Sequence, residues 1–571
     1  MADYDIIRKS PFSLSEEQAQ WVKNTIEGMS LDEKIGQLFV ARNSGDDEAY
    51  TIALNEKYHV GGWMGRQMPM KNAVAMTNLA QKTAKIPLLI AANFEAGGDG
   101  LIAEGTNVGP NLQIGATQDP AYAGKQAYVC AREGMAVGAN YAFAPVVDIN
   151  YNFRNPIMGT RLYSEDCNFV AEAGLAYVQE AQKQGMAVSI KHFPGDGVDE
   201  RDQHLVTTIN SLSCEDWDKS YGMVYKKLID AGALTVMCGH IMQPAYSQKL
   251  NPDLKPEEIM PATLAPELLQ GLLRRNLKFN GLIITDATTM NGMTIPMSRK
   301  KAVPYTIAAG CDMFLFTKNM DEDFEYMKQG YRDGILTAER LEEALIRILG
   351  LKAALKLPEA KADGSIYRDL EEARKIVGCE EHKEIERECS DKAVTLVKNL
   401  ENLIPIDPVK KRRVLLHGLT TEKGYFGDGG MDLEGQFKQE LEKEGFAVTI
   451  YEPGKGMEGM VTPCSKTIDN YDLIIYVADL QTKSNQTTVR IEWKAPMGGD
   501  APSFIQDVPT LFISFANPYH LQDVPRVKTF INAYKWKEAN IRAVIDKLLG
   551  RSDFRGVSPV DAFCGMWDTR L

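Results

Sequence analysis

The stretch Ala187-Val-Ser-Ile-Lys-His-Phe-Pro194 is a short apolar run that closes on Lys191, His192 and a proline. A run of this length, bounded by Gly185 and Pro194, is typical of a buried parallel strand. Because the run ends in two polar side chains, it also indicates which end of the strand faces a functional site.

Seven further runs of the same kind lie in the first 320 residues, and most are bounded by glycine or proline. They are Ile35–Arg42, His59–Arg66, Pro87–Glu95, Ala139–Asn150, Ala233–Ile241, Gly281–Met290 and Asp312–Lys318. Amphipathic, helix-like stretches such as Ser164–Gln184, Asp216–Ala231 and Thr263–Asn276 separate several of them. Eight alternations of strand and helix predict an α/β fold of the TIM type, a (β/α)8 barrel.

The remainder of the chain changes character twice. Residues 351–392 are dense in charged side chains and predict a helical linker. From Ala393 onward, apolar runs alternate again with helix-like stretches, which predicts a smaller open α/β sandwich. The predicted domains are therefore 1–350, 351–392 and 393–571. The glycine-rich stretch 427–430 lacks the spacing of a dinucleotide-binding loop, so we expect no nucleotide there.

Charge and composition exclude several classes of partner. The 571-residue chain has a formal net charge of −13, whereas proteins that bind nucleic acid or anionic membranes need a basic face. No apolar run approaches the roughly 18 residues that cross a bilayer. The first residues lack the pattern of a signal peptide, and the nine cysteines are scattered as in a reduced compartment. We therefore expect a cytoplasmic protein with no nucleic-acid or membrane partner.

Polar residues gather where the predicted strands end, which is where barrel enzymes hold their chemistry. They are Arg42, Arg66, Asn93, Glu95, Asp148, Lys191, His192, His240 and Asp286. In the loop after the fifth run, Asp202 and His204 are two residues apart, so the carboxylate can orient the imidazole as a general acid/base. Asp286, at the exit of another strand, suits a nucleophile or a base. Taken singly, His204 also fits a surface loop, and Asp286 also fits a helix cap.

A metal-dependent hydrolase is the alternative interpretation of the same residues. His192, Asp196, Asp199, Asp202, His204 and His240 include the ligand types of such a site. The end of the first strand, however, lacks the His-x-His pair expected of a metal-dependent barrel hydrolase. We therefore expect neither a metal nor any other cofactor.

Together, the motifs resemble glycoside hydrolase family 3, in its β-N-acetylglucosaminidase branch. The resemblance rests on the Lys-His-Phe-Pro-Gly-x-Gly…Asp-x-His loop and covers nearly the whole chain. Further matching stretches are Phe39–Arg42, Asn93–Glu95, Ala103–Thr106, Pro145–Asn150, Asn155–Arg161, Met237–His240 and Thr285–Ala287. The resemblance implies a retaining hydrolase of terminal β-linked N-acetylglucosamine, with a small oligosaccharide or glycan fragment as substrate.

The resemblance also implies a role for each site residue. Asp286 is the nucleophile that forms a covalent glycosyl-enzyme, and His204, oriented by Asp202, is the acid/base. The residues expected to contact substrate are Arg42, Asn93, Arg161, Lys191, His192 and Met290.

Two departures from the family pattern leave alternatives open. Asn93 stands where the family has aspartate, which affects the preference between gluco and galacto sugars, and Asp196 stands where histidine is usual. The alternatives are a β-N-acetylgalactosaminidase, a β-glucosidase or a phosphorylase of the same family. A sugar-binding protein without catalysis is the rival from another class, and a homodimer is left open as the assembly.

Overall fold

The computed structural model describes residues 3–42, 45–420, 432–453 and 461–571. The chain forms two compact units, each built from three segments. The first consists of Met1–Asn107, Ala121–Asn152 and Asp166–Lys383, and the second of Val108–Pro120, Phe153–Glu165 and Glu384–Leu571. Two short segments of the predicted barrel range thus group with the second unit, and nothing in the periodicity indicated this. The glycine-rich stretch 427–430 lies outside the described residues.

The first unit contains an eight-stranded parallel sheet that closes on itself. Its strands are β1 (Phe39–Arg42), β2 (Gly62–Met64), β3 (Leu89–Ala92), β4 (Tyr141–Ala142), β5 (Ala187–Phe193), β6 (Thr235–Cys238), β7 (Leu282–Thr285) and β8 (Phe314–Leu315). Neighbours follow the order β8-β1-β2-β3-β4-β5-β6-β7. A parallel bridge between Ile284 and Met313 joins the two ends. The predicted (β/α)8 barrel is therefore confirmed.

The strands are shorter than the apolar runs that predicted them. The first run starts at Ile35, but Leu31–Gly36 is a helix and β1 begins only at Phe39. Ser30 and Glu33 form a capping box at that helix, and each side chain accepts a hydrogen bond from the other residue's backbone. The cap satisfies otherwise unpaired N–H groups, so it favours a helical turn in a segment that apolar content alone assigns to a strand.

Helices cover the outside of the barrel sheet and continue through the charged segment. Their bounds are Glu16–Glu27, Leu31–Gly36, Glu48–Glu56, Met70–Thr83, Ala121–Ala136, Cys167–Gln184, Cys214–Trp217, Met223–Asp230, Pro244–Leu250, Asn291–Thr294, Arg299–Ala309, Met320–Arg332, Ala338–Ala354, Leu357–Asp363, Leu370–Ile376 and Glu380–Ala393, with π-helices at Asp218–Gly222 and Glu267–Asn276. Within the described ranges, no helix combines the length and the apolar character that a membrane span requires.

The second unit contains a mixed sheet of six strands. They are β9 (Thr395–Asn399), β10 (Arg413–Thr420), β11 (Ala447–Ile450), β12 (Leu473–Asp479), β13 (Thr510–Ser514) and β14 (Thr529–Asn532), in the order β9-β14-β13-β12-β10-β11. Only β9 runs antiparallel to its neighbour. Side chains alternate between two apolar clusters, one on each face, as Val414 and Leu415 show. The helices Leu433–Lys443 and Glu538–Leu548 belong to this unit, which confirms the predicted open α/β sandwich.

Candidate active site

The carboxyl end of β5 places a buried lysine and a buried histidine side by side. The Lys191 side chain is 3% exposed, and its Nζ lies 2.6 Å from Oε1 of Glu95, which follows β3. A charge-assisted bond of this length fixes both groups. Lys191 and Glu95 together present a polar wall at the mouth of the barrel.

His192 is held by a carboxylate from the neighbouring strand end. Its Nδ1 lies 2.6 Å from Oδ2 of Asp148, and Oδ1 of Asp148 accepts the backbone N–H groups of His192 and Asp196. Because an ionised carboxylate only accepts, Nδ1 of His192 carries a proton. The other nitrogen, Nε2, faces Asp286 at 3.8 Å from Oδ2.

The predicted pair of Asp202 and His204, called the dyad below, lies in the loop that follows β5, called the dyad loop. Nδ1 of His204 lies 2.7 Å from Oδ1 of Asp202, which also accepts the backbone N–H of His204 at 2.8 Å. The Asp202 carboxylate is fully buried, whereas the His204 side chain is 30% exposed. The imidazole is therefore oriented from inside while it remains accessible from the cleft.

The dyad loop is fastened to the loop that carries Asp286. The backbone N–H of Asn291 donates to the carbonyl of His204 at 3.0 Å, and that of Gly292 donates to the carbonyl of Gln203 at 3.2 Å. Further along, the short strand Thr208–Ile209 pairs with Ile241–Met242. These bonds hold the dyad in register with the strand ends, so its position does not depend on a free loop.

Asp286 follows β7 directly, and its Oδ1 accepts the backbone N–H of Ala287 at 2.7 Å. Burial raises the pKa of Asp286, but the neighbouring histidines, His192 foremost, outweigh burial and lower it below the ordinary value of 3.8. The carboxylate is consequently ionised at neutral pH, which is the state that a nucleophile requires.

His240 has a structural position in the wall of the site. Its Nδ1 lies 2.9 Å from Oγ1 of Thr263, and its Nε2 lies 3.1 Å from the carbonyl of Ala287. Burial lowers the pKa of His240, which favours the neutral ring. These two contacts make His240 a hydrogen-bonded residue of the wall. The other histidines of the alternative metal site form two separate Asp–His pairs.

The remaining predicted contacts are spread over several elements. Arg42 ends β1 and Asn93 directly follows β3, and both side chains are exposed. Met290 is buried at the start of the helix Asn291–Thr294. Arg161 belongs to the second unit, in the helical turn Gly159–Arg161. The roles of these four residues stay predictions.

Sequence reasoning did not assign the residues that position the site. The sequence places Asp148 and Glu95 at strand ends but does not indicate a role for either residue. Gln203 was not singled out at all; its Oε1 accepts the backbone N–H of His240 at 2.8 Å, and its Nε2 donates to Asp196 at 3.2 Å. The available signal for Asp148 and Glu95 was their place near the end of a predicted strand, a place that Lys191 and His192 share.

The fold and the site define a (β/α)8-barrel enzyme whose nucleophile and acid/base candidates lie at the carboxyl ends of the strands. Residues 30–351 match the model of the glycosyl hydrolase family 3 N-terminal domain. The chain therefore belongs to glycosyl hydrolase family 3, as the sequence motifs predicted, and it is a glycosidase of that family.

Similar proteins cover nearly the whole chain. A beta-N-acetylglucosaminidase/beta-glucosidase of Cellulomonas fimi is 47% identical over 98% of this chain and 99% of its own length. The solved structure of a beta-glucoside phosphorylase, BglX, has a TM-score of 0.92 and 43% identity, and it covers 100% of both chains. A family 3 beta-N-acetylglucosaminidase from Paenibacillus shares the fold with a TM-score of 0.75 at 23% identity and covers 94% of this chain and 100% of its own.

Proposed function

We propose that the protein is a retaining exo-β-N-acetylglucosaminidase that acts in the cytoplasm on short glycan fragments. The observation that carries the proposal is the Asp202–His204 pair, fastened at 2.7 Å and tied to the loop after an ionised Asp286. The beta-N-acetylglucosaminidase/beta-glucosidase name of the Cellulomonas fimi relative supports it.

In the first step, the Asp286 carboxylate attacks the anomeric carbon and the bond to the leaving oxygen breaks. With Nδ1 held by Asp202, Nε2 of His204 donates its proton to that oxygen. In the second step, Nε2 removes a proton from water, which attacks the glycosyl ester and releases Asp286. General acid/base assistance of this kind contributes about 10²–10⁴-fold to the rate.

The groups around the nucleophile suit a neutral polyhydroxylated sugar. The Lys191 ammonium and the Glu95 carboxylate offer a donor and an acceptor, and Nε2 of His192 faces Asp286. Hydrogen bonds with a charged partner are short and directional, so they favour one sugar configuration over another. We assign these three side chains to the subsite of the sugar that is transferred.

Phosphorolysis of β-glucosides is the second candidate. The observation that favours it is the similarity to the beta-glucoside phosphorylase. A histidine acid is neutral after it loses its proton, so it does not repel a phosphate anion that replaces water as the acceptor.

The test is turnover of the nitrophenyl β-glycosides of N-acetylglucosamine, N-acetylgalactosamine and glucose, with and without phosphate. We expect the N-acetylglucosamine substrate to be preferred and Asp286→Asn to lose at least about 10³-fold in kcat. Glu200→Gln, at an exposed position of the same loop, is the matched control and should retain activity. Formation of a sugar 1-phosphate would favour the second candidate, and full activity in Asp286→Asn would refute the assigned nucleophile.

A further inference from the structure

A group of potential metal ligands lies at the start of the helix Glu380–Ala393, apart from the residues of the proposed active site. The Sγ of Cys379, a carboxylate oxygen of Glu381 and a ring nitrogen of His382 lie within 4.8 Å of one another. The carbonyl of Cys379 accepts the N–H of Lys383 at 3.1 Å, so Cys379 is the N-cap residue. An N-cap residue and the third residue of a helix share one side of its first turn, which brings Cys379 and His382 together.

His382 is oriented from behind by a buried carboxylate. Its Nδ1 lies 2.8 Å from Oε1 of Glu133, which also accepts the Thr106 hydroxyl at 2.7 Å and the backbone N–H of Gly378 at 2.9 Å. The side chains of His382 and Glu133 are both fully buried. Since a carboxylate in its ionised form only accepts, Nδ1 carries a proton toward Glu133, and Nε2 is the nitrogen left to bind a metal.

Nε2 of His382 is the unexplained atom of this group. It is buried, and it has no hydrogen-bond partner within the part of the chain that the structure describes. A buried polar atom without a partner destabilises the fold unless something binds it. The Tyr128 ring packs edge-on against His382, and its hydroxyl donates to Glu381 at 3.2 Å, so the group is braced from a second side.

We propose that Cys379, Glu381 and His382 bind a divalent metal ion of the zinc class, with a solvent water as fourth ligand. A carboxylate that fixes one imidazole nitrogen and leaves the other for the metal is the usual support of a zinc-bound histidine. A thiolate and an imidazole in one set select zinc-class ions over Mg²⁺ or Ca²⁺, which prefer oxygen ligands. On binding, the Cys379 thiol releases its proton to solvent and its sulfur bonds the metal.

The group needs only a modest contraction to bind. Metal–ligand bonds of about 2.0–2.3 Å place tetrahedral ligands roughly 3.3–3.8 Å apart. In the structure the three ligand atoms lie within 4.8 Å of one another, so they need to approach by about 1.5 Å at most. The Glu381 side chain is exposed, so its carboxylate can shift toward the ion when it gives up the hydrogen bond from Tyr128. The bound ion would fasten the helix start to Glu133 on the helix Ala121–Ala136, so its role is structural and does not depend on the proposed glycosidase chemistry.

The experiment measures zinc binding to the full-length protein after chelator treatment, by calorimetry and by metal analysis after gel filtration. We expect one zinc per chain in the wild type and at least about a tenfold weaker affinity in Cys379→Ser and in His382→Gln. With cobalt in place of zinc, the wild type should show a thiolate charge-transfer band that Cys379→Ser lacks. Cys464→Ser, which alters an exposed cysteine of the second unit, is the matched control and should bind like the wild type.

Equal zinc affinity in the wild type and Cys379→Ser, or no thiolate band with cobalt, would overturn the proposal. His382 is buried, so His382→Gln is interpreted only if its circular dichroism and melting curve match those of the metal-free wild type. Cys379 is partly exposed, so Cys379→Ser keeps the test decisive if the histidine variant fails to fold. Turnover of aryl glycosides by Cys379→Ser should equal that of the wild type, which separates this site from the proposed catalytic one.

Discussion

Two aspartate–histidine pairs with the same hydrogen-bond pattern lie at the barrel mouth, and they differ in the burial of the histidine. In each, an aspartate accepts both the ring Nδ1–H and the backbone N–H of a histidine. The His192 side chain is 4% exposed and belongs to β5, whereas the His204 side chain is 30% exposed and belongs to the loop that follows. Hydrogen bonding alone therefore does not distinguish the two pairs.

The difference in exposure indicates that the two histidines have different roles. A proton-transfer group must exchange protons with substrate and water, which requires an accessible nitrogen. His204 meets that condition, while His192 is enclosed and directs Nε2 at Asp286 over 3.8 Å. We infer that the buried pair fixes the nucleophile and the sugar, and that the exposed pair moves the proton.

Replacing His204 with alanine tests the exposed pair and has the largest expected effect. Turnover of substrates with poor leaving groups should fall by about 10²–10⁴-fold, because the leaving oxygen is no longer protonated. With an activated dinitrophenyl leaving group, formation of the glycosyl-enzyme should be nearly unaffected, and its hydrolysis should become slow.

Intact-protein mass spectrometry of His204→Ala during turnover should therefore show the chain carrying one sugar. The double variant with Asp286→Asn is the control, since it should carry none. Equal losses for good and poor leaving groups, without an accumulated intermediate, would contradict the assigned role of His204.

Exchanging each aspartate for asparagine separates the two pairs with one matched change. Asp202→Asn should lower kcat by roughly 10–100-fold, less than the loss of the histidine itself, with KM little changed. Asp148→Asn should mainly raise KM and lower the free energy of unfolding by about 2–3 kcal/mol, because a buried carboxylate with three donors loses its charge. Steady-state kinetics and urea denaturation of both variants give the comparison. Identical profiles would mean that burial does not assign the roles.

The fold was largely predictable because buried parallel strands have an apolar pattern that does not depend on tertiary detail. Strand ends were less predictable, as the helix Leu31–Gly36 shows, since a capping box competes with apolar content over a few residues. The grouping of 108–120 and 153–165 with the second unit depends on contacts distant in sequence. The local apolar periodicity of the sequence does not depend on such contacts and therefore cannot predict them.

The candidate site was predictable where its members are close in sequence or resemble a motif. Asp202 and His204 are two residues apart, and their bond follows from that spacing. The partnership of Asp148 with His192 joins residues 44 positions apart on neighbouring strands. Asp148 and His192 were both candidate site residues because each lies near a predicted strand end. Only the three-dimensional register of β4 and β5 shows that they form a pair.

A histidine of the second unit extends the comparison to an imidazole whose pKa is shifted by burial alone, without a carboxylate. Of the replacements predicted here, that of this histidine should have the smallest effect. His417 on β10 is stacked between Tyr451 at 4.1 Å and Tyr476 at 4.3 Å. Burial lowers the pKa of His417 from 6.5 to about 3, so the folded protein holds this ring neutral where the unfolded chain binds a proton.

Replacing His417 with phenylalanine should therefore change the pH dependence of stability and leave catalysis alone. The depressed folded-state pKa of His417 means that stability is lost as pH falls below the unfolded value of 6.5. Between pH 7 and pH 5 the wild type should lose about 2 kcal/mol that His417→Phe retains. Urea denaturation at the two pH values, monitored on the second unit, measures the difference. An equal loss in both proteins would show that this ring takes up its proton over the same pH range in the folded and the unfolded chain, so burial without a carboxylate would not suffice to keep an imidazole neutral.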